Sequence, residues 1–235
     1  MNMEEENIVN CDTKEFYTRA VEYWDNIPAT VDGMLGGFGF ISHIDINGSE
    51  HFLESLYKLK DPPGDEYALD CGSGIGRITK NLLVKHFKCV DLVEQNSKFL
   101  DAAKVFLEDC SSHIGKFYSS GLQDFYPDAK KYDVIWCQWV LGHLENDDLI
   151  DFFKNCTNAL KDSGILIVKE NVTSSNNVEK DTQDSSVTRP YDDLKAAFKS
   201  ANLICIKERK QTHLPRGLYP VYMFALKPSS VKISD

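Results

Sequence analysis

The residues with the clearest chemical potential form a glycine-rich loop between an apolar run and a helical pattern. The apolar run ends in an acid, Asp70, and three alternating glycines follow, Gly72, Gly74 and Gly76, before apolar residues recur at helical spacing from Ile78. Because glycine has no Cβ, such a loop lets backbone N–H groups approach a ligand, and it points a helix N-terminus at that ligand. The segment therefore predicts a strand, a binding loop and a helix.

The glycine spacing and the preceding acid distinguish between cofactors. Dinucleotide loops read G-x-G-x-x-G and place a pyrophosphate at the helix N-terminus, whereas this loop reads G-x-G-x-G and follows Asp70. A carboxylate at that point disfavours a phosphate and favours a cationic or zwitterionic ligand. S-adenosylmethionine (AdoMet) carries a sulfonium and an ammonium and no phosphate. The loop therefore favours AdoMet, with a plain strand–helix turn as the alternative.

Two later segments place further polar groups at predicted strand ends. The run Cys89–Glu94 ends in an acid 24 residues after Asp70, near the position at which related folds hold ribose hydroxyls. A loop at 121–125 follows the next predicted strand, where an adenine edge can be read. Since the carboxyl ends of parallel strands meet at one edge of a sheet, we expect these groups to share a site with the glycine loop.

The elements that must position this site alternate regularly along the chain. Five β/α units from Tyr67, followed by strands near 204–208 and 219–226, predict an α/β fold. This fold is a Rossmann-like, doubly wound, seven-stranded sheet of the class I methyltransferase type, with its last strand antiparallel. The predicted organisation is a disordered N-terminus (1–11), a helical extension and lid (12–60), the methyltransferase domain (61–227, with an insertion at 172–188) and a loose tail (228–235).

The N-terminal extension combines two predicted helices with a glycine-rich segment. The capping box Asp12–Glu15 precedes an aromatic stripe that includes Tyr23 and Trp24, and a second helix is predicted at 47–60. Between them, residues 31–41 contain four glycines and several large apolar side chains. This composition predicts neither helix nor ordinary strand, and it fits a mobile lid over a site or a buried connector.

Composition limits the possible partners. The chain has 235 residues, 36 acidic against 26 basic, and a formal net charge of −10. Phosphate contacts need a positive face, so nucleic acid is disfavoured as a partner. The negative charge favours a basic partner or substrate, but it is equally compatible with an acidic protein that binds no charged partner. No apolar run approaches the roughly 20 residues of a membrane span. The seven cysteines and six histidines show no metal-ligand spacing, so we expect no metal and reduced thiols in a cytoplasmic protein, with the nucleus as a second compartment.

Four sequence blocks together closely resemble the protein N-terminal Xaa-Pro-Lys α-N-methyltransferases. The likeness runs from about Phe16 to Leu226, and its distinctive blocks are Thr30-Val-Asp-Gly-Met-Leu-Gly-Gly-Phe-Gly39, Leu69-Asp-Cys-Gly-Ser-Gly-Ile-Gly-Arg-Ile-Thr-Lys80, Trp136-Cys-Gln-Trp-Val-Leu-Gly-His-Leu144 and Asp184-Ser-Ser-Val-Thr-Arg189. The resemblance implies methyl transfer from AdoMet to the free α-amino group of proteins that begin Xaa-Pro-Lys after Met removal, ribosomal proteins among them. We expect S-adenosylhomocysteine as the second product and a monomeric enzyme.

The resemblance also implies residue roles. Arg77 is expected to meet the methionine carboxylate, Glu94 the ribose, and the remaining cofactor residues are Gly72, Gly74, Leu122, Gln123 and Gln138. The implied substrate residues are Tyr23, Trp24, Leu35, Gly36, Ile41, Trp139, Asn171, Asp181, Ser186 and Tyr219, with Asp184 beside the amino group. The chain departs from the family at the paired acids, which stand here as Asp181-Thr182 after a slightly longer insertion, so the match is better at Asp184.

The chemistry of methyl transfer supports two catalytic candidates. An in-line displacement needs a neutral amine lone pair about 3 Å from the methyl carbon, and an α-amino group has a pKa near 8. Either Asp184 or His143, just past the fourth predicted strand, can accept the proton or orient the amine. We hypothesise that both contribute. Taken alone, His143 is also compatible with a structural role and Asp184 with a solvated loop.

The sequence is also compatible with two other functions. One is an AdoMet methyltransferase acting on a small amine or a protein side chain, and the other is a catalytically inactive AdoMet-binding adaptor. A base methyltransferase fits less well, because the fourth strand leads into Trp136–Trp139 rather than an Asp-Pro-Pro-Tyr motif.

Overall fold

A single seven-stranded sheet organises the computed structural model, which describes residues 3–229 and the side chains of residues 13–229. Its helices are α1 (Met3–Asp25), α2 (Val31–Met34), α3 (Ser42–Leu56), α4 (Arg77–Asn81), α5 (Ser97–Phe106), α6 (Asn146–Ala159) and α7 (Tyr191–Ser200). Its strands are β1 (Tyr67–Cys71), β2 (Cys89–Glu94), β3 (Ile114–Ser119), β4 (Tyr132–Gln138), β5 (Leu160–Asn171), β6 (Glu179–Asp181), β7 (Ser186–Thr188), β8 (Leu203–Lys210) and β9 (Val221–Pro228).

The strand order confirms the predicted topology. The large sheet runs β3-β2-β1-β4-β5-β9-β8, with β1 to β5 parallel and β9 antiparallel to both of its neighbours. The order reverses between β1 and β4, where the connections pass to opposite sides of the sheet. In open α/β sheets, ligands bind outside the carboxyl ends of the strands at such a switch point.

The core lies on both faces of this sheet, as the continuous apolar runs of the parallel strands require. Alternate strand residues such as Leu69 and Ile135 pack with α6 and α7, and the intervening residues such as Val134 pack on the other side. There α3 contributes Phe52, Leu53 and Leu56, all fully buried. Burying each such side chain contributes roughly 1.5–3 kcal/mol, so α3 is held firmly against the sheet.

Several element boundaries differ from the prediction. The first helix begins at Met3 rather than at the Asp12 capping box, and α3 begins at Ser42 rather than near 47. The fifth strand begins at Leu160 rather than 165, because Leu160 already has an extended backbone (φ −69°, ψ 140°) and pairs with Tyr132. The predictions for residues 1–2 and for 230–235 of the tail lie outside the described residues.

Two segments for which the sequence predicts no helix or strand contain short regular elements. In the glycine-rich segment, Val31–Met34 form one helical turn and Gly39–Ile41 a 3-10 turn. In the insertion, β6 and β7 form an antiparallel hairpin that stands apart from the main sheet. Both segments lie at the carboxyl edge of the strands. Among residues 3–229, no helix is both long enough and apolar enough to cross a membrane.

Candidate active site

Two adjoining pockets open at the carboxyl ends of the parallel strands. The inner pocket lies between the glycine loop, the end of β2 and the loop after β3. The outer pocket lies between α1, the glycine-rich segment 31–41 (the lid segment), the β6–β7 hairpin and the start of β9. Both pockets are lined by Trp24, Met34, Trp139 and His143. A ligand in one pocket therefore shares a wall with a ligand in the other.

The glycine loop requires its glycines. Gly72, Gly74 and Gly76 all have positive φ (66°, 54° and 82°), a region that side chains with a Cβ rarely adopt. A Cβ on Gly72 would also lie 2.3 Å from Cγ2 of Val140. The backbone N–H groups of Gly72 and Ser73 both donate to the carbonyl of Val93, at 2.9 and 3.1 Å, which ties the loop to β2.

Two buried acids line the inner pocket. Glu94 accepts from the backbone N–H of Gly74 (3.0 Å) and of Asn96 (2.9 Å), and burial raises its pKa. Asp70 accepts from the N–H and hydroxyl of Thr79, at 3.2 and 2.7 Å, and burial raises its pKa to about 6. Both acids are thus held in place by the protein where they line the pocket.

The inner pocket is also lined by a positive charge. Arg77 donates from Nη1 to Asp45 (2.7 Å) and to the Ser42 hydroxyl (3.4 Å). Gln138 donates from Nε2 to both oxygens of Asp45 (2.8 and 2.9 Å), while its Oε1 accepts from the Trp136 indole (3.1 Å). These bonds fix the orientation of the Gln138 amide, and they hold one nitrogen of Arg77.

Behind Asp45 lies a fully buried lysine. The ammonium of Lys169 pairs with Oδ1 of Asp45 and donates to its backbone carbonyl (3.0 Å), to the Ser49 hydroxyl (2.9 Å) and to Gln211 (3.0 Å). Burial alone would raise the pKa of Asp45, but Lys169 and Arg77 reverse this effect and hold it below its usual value. Burial lowers the pKa of Lys169, and Asp45 offsets part of that effect.

The inner pocket fits AdoMet. It is lined by the carboxylates of Asp70 and Glu94 and by the guanidinium of Arg77, which suits a ligand that has both cationic groups and a carboxylate. The hydroxyl of Ser73, in the glycine loop, is buried without a hydrogen-bond partner among the described residues, and a buried hydroxyl of this kind is stabilised when a ligand pairs with it. When bound, AdoMet supplies an electrophilic methyl group on sulfur.

A tight turn after β4 forms the shared wall. Trp139 adopts positive φ (53°), its backbone N–H donates to the carbonyl of Lys169 (3.0 Å), and the cations of Arg77 and Lys169 lie 5.7 and 5.9 Å from its ring centroid. Its indole N–H is buried and has no partner in the described part of the chain. Trp139 is therefore a rigid wall that retains an open donor.

Glu170 holds the next residues of that turn. Its Oε1 accepts from the backbone N–H groups of Val140 (2.8 Å) and Leu141 (2.9 Å). Burial raises the pKa of Glu170 to about 7, although these two bonds and nearby Arg189 oppose the shift. Glu170 therefore holds the turn through its carboxylate and also forms part of the wall of the outer pocket.

The β6–β7 hairpin brings Asp184 to the outer pocket. One oxygen of Asp184, Oδ1, is buried and has no hydrogen-bond partner among residues 13–229. The next residue, Ser185, has positive φ (55°) and its hydroxyl donates to the carbonyl of Phe16 in α1 (2.9 Å). Arg189 anchors the hairpin by donating to the carbonyls of Leu141 (2.9 Å) and Leu144 (2.5 Å).

Both ring nitrogens of His143 already have partners. The Trp24 indole N–H donates to Nε2 (3.1 Å), so Nδ1 carries the proton and faces the carbonyl of Ser185 (3.3 Å). Burial lowers the pKa of His143, with nearby Asp184 opposing the shift, so the ring is neutral. In this arrangement His143 ties α1 to the hairpin, while Asp184 retains the open acceptor.

The structure brings together nearly all of the residues singled out from the sequence. The inner pocket is lined by Gly72, Gly74, Arg77, Glu94, Leu122, Gln123 and Gln138. The outer pocket is lined by Tyr23, Leu35, Gly36, Ile41, Asn171, Asp184, Ser186 and Tyr219, and the shared wall by Trp24, Trp139 and His143. Asp181 lines neither pocket; it is exposed at the end of β6 and accepts from the N–H of Gln183 (2.8 Å).

Sequence reasoning missed four charged residues that support the site: Asp45, Lys169, Glu170 and Arg189. A signal for two of them was present, because Lys169-Glu170 ends a strand of continuous apolar residues, and charges in such a run are buried when the strand is central. Asp45 lies on the buried face of α3, one turn before Ser49, but the sequence pattern predicts this helix only from residue 47 and so gives no signal for Asp45.

The strand order, the glycine loop and the charge arrangement of the inner pocket together define a class I AdoMet-dependent methyltransferase. Comparisons with known proteins are consistent with this class. Residues 12–227 match the family model described as AdoMet dependent proline di-methyltransferase. The chain belongs to this family.

Named relatives cover most of the chain. The Drosophila melanogaster alpha N-terminal protein methyltransferase 1 is 49% identical over 92% of this chain and 78% of its own length. The Xenopus tropicalis N-terminal Xaa-Pro-Lys N-methyltransferase 1 is 45% identical over 92% of this chain and 97% of its own. A solved SAM-dependent methyltransferase from Leishmania major superposes with a TM-score of 0.85, is 39% identical, and covers 90% of this chain and 83% of that one.

Proposed function

We propose that this enzyme transfers methyl groups from AdoMet to the free α-amino group of proteins that begin Xaa-Pro-Lys. The observation that carries the proposal is the outer pocket, which Asp184 and Trp139 both line. Among residues 13–229, one carboxylate oxygen of Asp184 and the indole N–H of Trp139 have no hydrogen-bond partner. These atoms complement an amine and a peptide carbonyl. The relatives' names, which specify N-terminal protein methylation, support the same acceptor.

Each part of the acceptor has a suitable counterpart in the outer pocket. Apolar and aromatic side chains, including Tyr23, Leu35 and Tyr219, offer surfaces for a proline ring. Asn171 at the end of β5 offers an amide for the peptide backbone. The exposed Asp181 and the half-buried Glu179 lie on the hairpin near the outer pocket, where a substrate lysine can meet negative charge.

Asp184 and His143 have different roles in preparing the amine for methyl transfer. An ammonium loses its proton before transfer, and with a pKa near 8 this step needs little driving force. Asp184 holds the amine with its open oxygen and accepts the proton directly or through water. His143 orients the site by holding Trp24 and Ser185, and it accepts a proton only if the Trp24 bond is released.

The decisive experiment is mass spectrometry of a Ser-Pro-Lys or Pro-Pro-Lys peptide incubated with the enzyme and AdoMet, with an N-acetylated copy as the matched control. We expect methylation of the free peptide only, and the number of methyl groups added gives the product state. Methylation of both peptides would place the modification on a side chain and would contradict the proposal. No methylation of either, with S-adenosylhomocysteine still bound, would favour a small-amine acceptor or an adaptor.

Three further proposals concern the substrates, the oligomeric state and the cellular compartment of the enzyme. We infer that ribosomal proteins are among its substrates, that it acts as a monomer, and that it works in the cytoplasm and the nucleus. Protein substrates are supported by the relatives' names. Methylation of ribosomal proteins in a cell extract, size-exclusion chromatography and imaging of the tagged protein test these three points in turn.

A further inference from the structure

Three buried charges beside the AdoMet pocket do not balance. This charge cluster consists of Arg77, Asp45 and Lys169, whose side chains are 6%, 1% and 0% exposed. Oδ2 of Asp45 pairs with Arg77 at 2.7 Å and Oδ1 pairs with Lys169. Within the described residues, no second acid forms an ion pair with either cation. Two cations and one carboxylate leave one surplus positive charge.

Lys169 is protonated in this arrangement. Its Nζ is surrounded by four acceptor oxygens, belonging to the Asp45 side chain, the Asp45 carbonyl, the Ser49 hydroxyl and Gln211. A neutral amine has only two N–H groups, and its lone pair would face one of these oxygens, whereas an ammonium has three donors to share among them. The surroundings of Nζ therefore favour the charged form.

The surplus charge is presented to the pocket through Arg77. Of the three residues in the cluster, Arg77 lines the inner pocket. Its Nη1 is occupied by Asp45 and Ser42, while its Nε and Nη2 make no hydrogen bond to any residue that the structure describes. Asp70 lines the same pocket and is influenced by the charge of Arg77, but its carboxylate is bonded to Thr79 and forms no ion pair with Arg77. A buried cation with open donors attracts an anionic partner.

Lys169 controls how far Asp45 neutralises Arg77. A carboxylate shared by two cations compensates each only in part, whereas a carboxylate paired with Arg77 alone would cancel its charge. We propose that Lys169 is a positioning residue for the methyl donor: by occupying Asp45 it preserves the surplus charge on Arg77, and this charge selects ligands that carry a free carboxylate. AdoMet and S-adenosylhomocysteine have that carboxylate, and 5′-methylthioadenosine lacks the whole amino-acid group.

The test compares the affinities of S-adenosylhomocysteine and 5′-methylthioadenosine by calorimetry for the full-length protein and its Lys169→Met variant. We expect the variant to bind S-adenosylhomocysteine about tenfold more weakly, as is typical of a coupling between charged sites, with the affinity for 5′-methylthioadenosine nearly unchanged. Lys169→Arg, which restores the charge, is expected to recover most of the discrimination. A role in folding alone would weaken both ligands equally.

The matched control is Lys131→Met, because Lys131 also pairs with a buried acid, Asp91, but lies at the amino end of β4, away from both pockets. It is expected to leave the ratio of the two affinities unchanged. Equal losses of both ligands in Lys169→Met, or unchanged binding of both, would overturn the inference. The test uses no peptide, so failure of the acceptor proposal, seen as normal ligand binding without peptide methylation, is a separate result.

Discussion

At the scale of the residue, Asp184 carries the most direct prediction. Its Oδ1 is buried and has no hydrogen-bond partner in the part of the chain whose side chains are described, so it is an acceptor left open for an amino group. Replacing it in Asp184→Asn removes the charge while keeping the shape. We expect kcat on an Xaa-Pro-Lys peptide to fall by about a hundredfold or more, the usual contribution of a positioned acid or base.

The measurement is an initial-rate assay at saturating AdoMet, with Asp162→Asn as control because the Asp162 side chain is 98% exposed. Since His143 has both ring nitrogens engaged, His143→Ala is expected to cost less than Asp184→Asn. Full turnover in the Asp184→Asn variant would remove Asp184 from the mechanism.

Glu170 yields a prediction about pH and stability. Its pKa is raised by burial from 4.5 to about 7, so the folded protein binds the proton more tightly than the unfolded chain. The stabilisation is complete below pH 4.5 and is lost as the pH rises through 7, a change of about 3 kcal/mol. Glu170→Gln keeps an oxygen for the backbone N–H groups of Val140 and Leu141 but cannot ionise.

Urea unfolding at pH 5 and pH 8 measures this effect. We expect the stability of Glu170→Gln relative to the wild type to increase by about 2.5 kcal/mol between these pH values, because a small part of the change has already occurred by pH 5. Contributions from Asp70 and His143 are present in both proteins and cancel in the difference. Glu54→Gln, at an exposed position on α3, is the control and is expected to show no such change. An unaltered difference would mean that Glu170 is ionised in the folded protein at pH 5.

At the scale of the element, the four-residue helix α2 is important because its end forms part of both pockets. Its N-terminus is capped by Thr30, whose hydroxyl accepts from the N–H of Gly33 (3.0 Å), and it ends at Met34, which lies in the shared wall. So short a helix has no stability of its own, and loss of a cap costs about 1 kcal/mol.

Thr30→Ala is therefore expected to loosen the lid segment rather than the core. We predict that the KM values for AdoMet and for the peptide both rise about fivefold, the equivalent of about 1 kcal/mol, with little change in Tm. Thr157→Ala, which removes a hydroxyl bonded within α6, is the control because it lies outside both pockets. A lower Tm with unchanged KM values would show that the cap serves stability and not the site.

At the scale of the whole molecule, charge is expected to govern encounter with the substrate. The protein has a formal net charge of −10, and acids including Glu179, Asp181 and Asp184 lie on the hairpin beside the outer pocket. A basic N-terminus is attracted to this surface, and salt screens the attraction. We predict that the KM for the peptide rises between about 50 mM and about 500 mM NaCl, while the KM for AdoMet, which binds in the inner pocket rather than on the acidic hairpin, changes less.

A peptide in which the lysine is replaced by norleucine is the control for this prediction, since it lacks the side-chain charge but keeps the α-amino group. Its KM is expected to be higher at low salt and to depend less on salt. Identical salt dependence for both peptides would place the lysine outside the acidic surface.

The sequence determined the fold and most of the pocket lining. Alternation of apolar runs with helical patterns specified the sheet, because strands buried on both faces must be apolar throughout. The G-x-G-x-G loop specified the inner pocket, because residues other than glycine rarely let the backbone approach a ligand so closely. Glu94, at the end of the next strand, specified a second part of its lining. Motif resemblance added Trp139 and Asp184, whose types alone suggest no particular role.

Only the tertiary structure decided how charges are paired. Asp45 on α3, Arg77 after β1 and Lys169 on β5 are far apart along the chain, and their contact depends on the packing of α3 on one face of the sheet. The roles of His143 and Glu170 depend likewise on partners from α1 and the turn after β4. Local pattern reports which face of an element is buried, but the identity of a buried charge's partner is a property of the packed molecule.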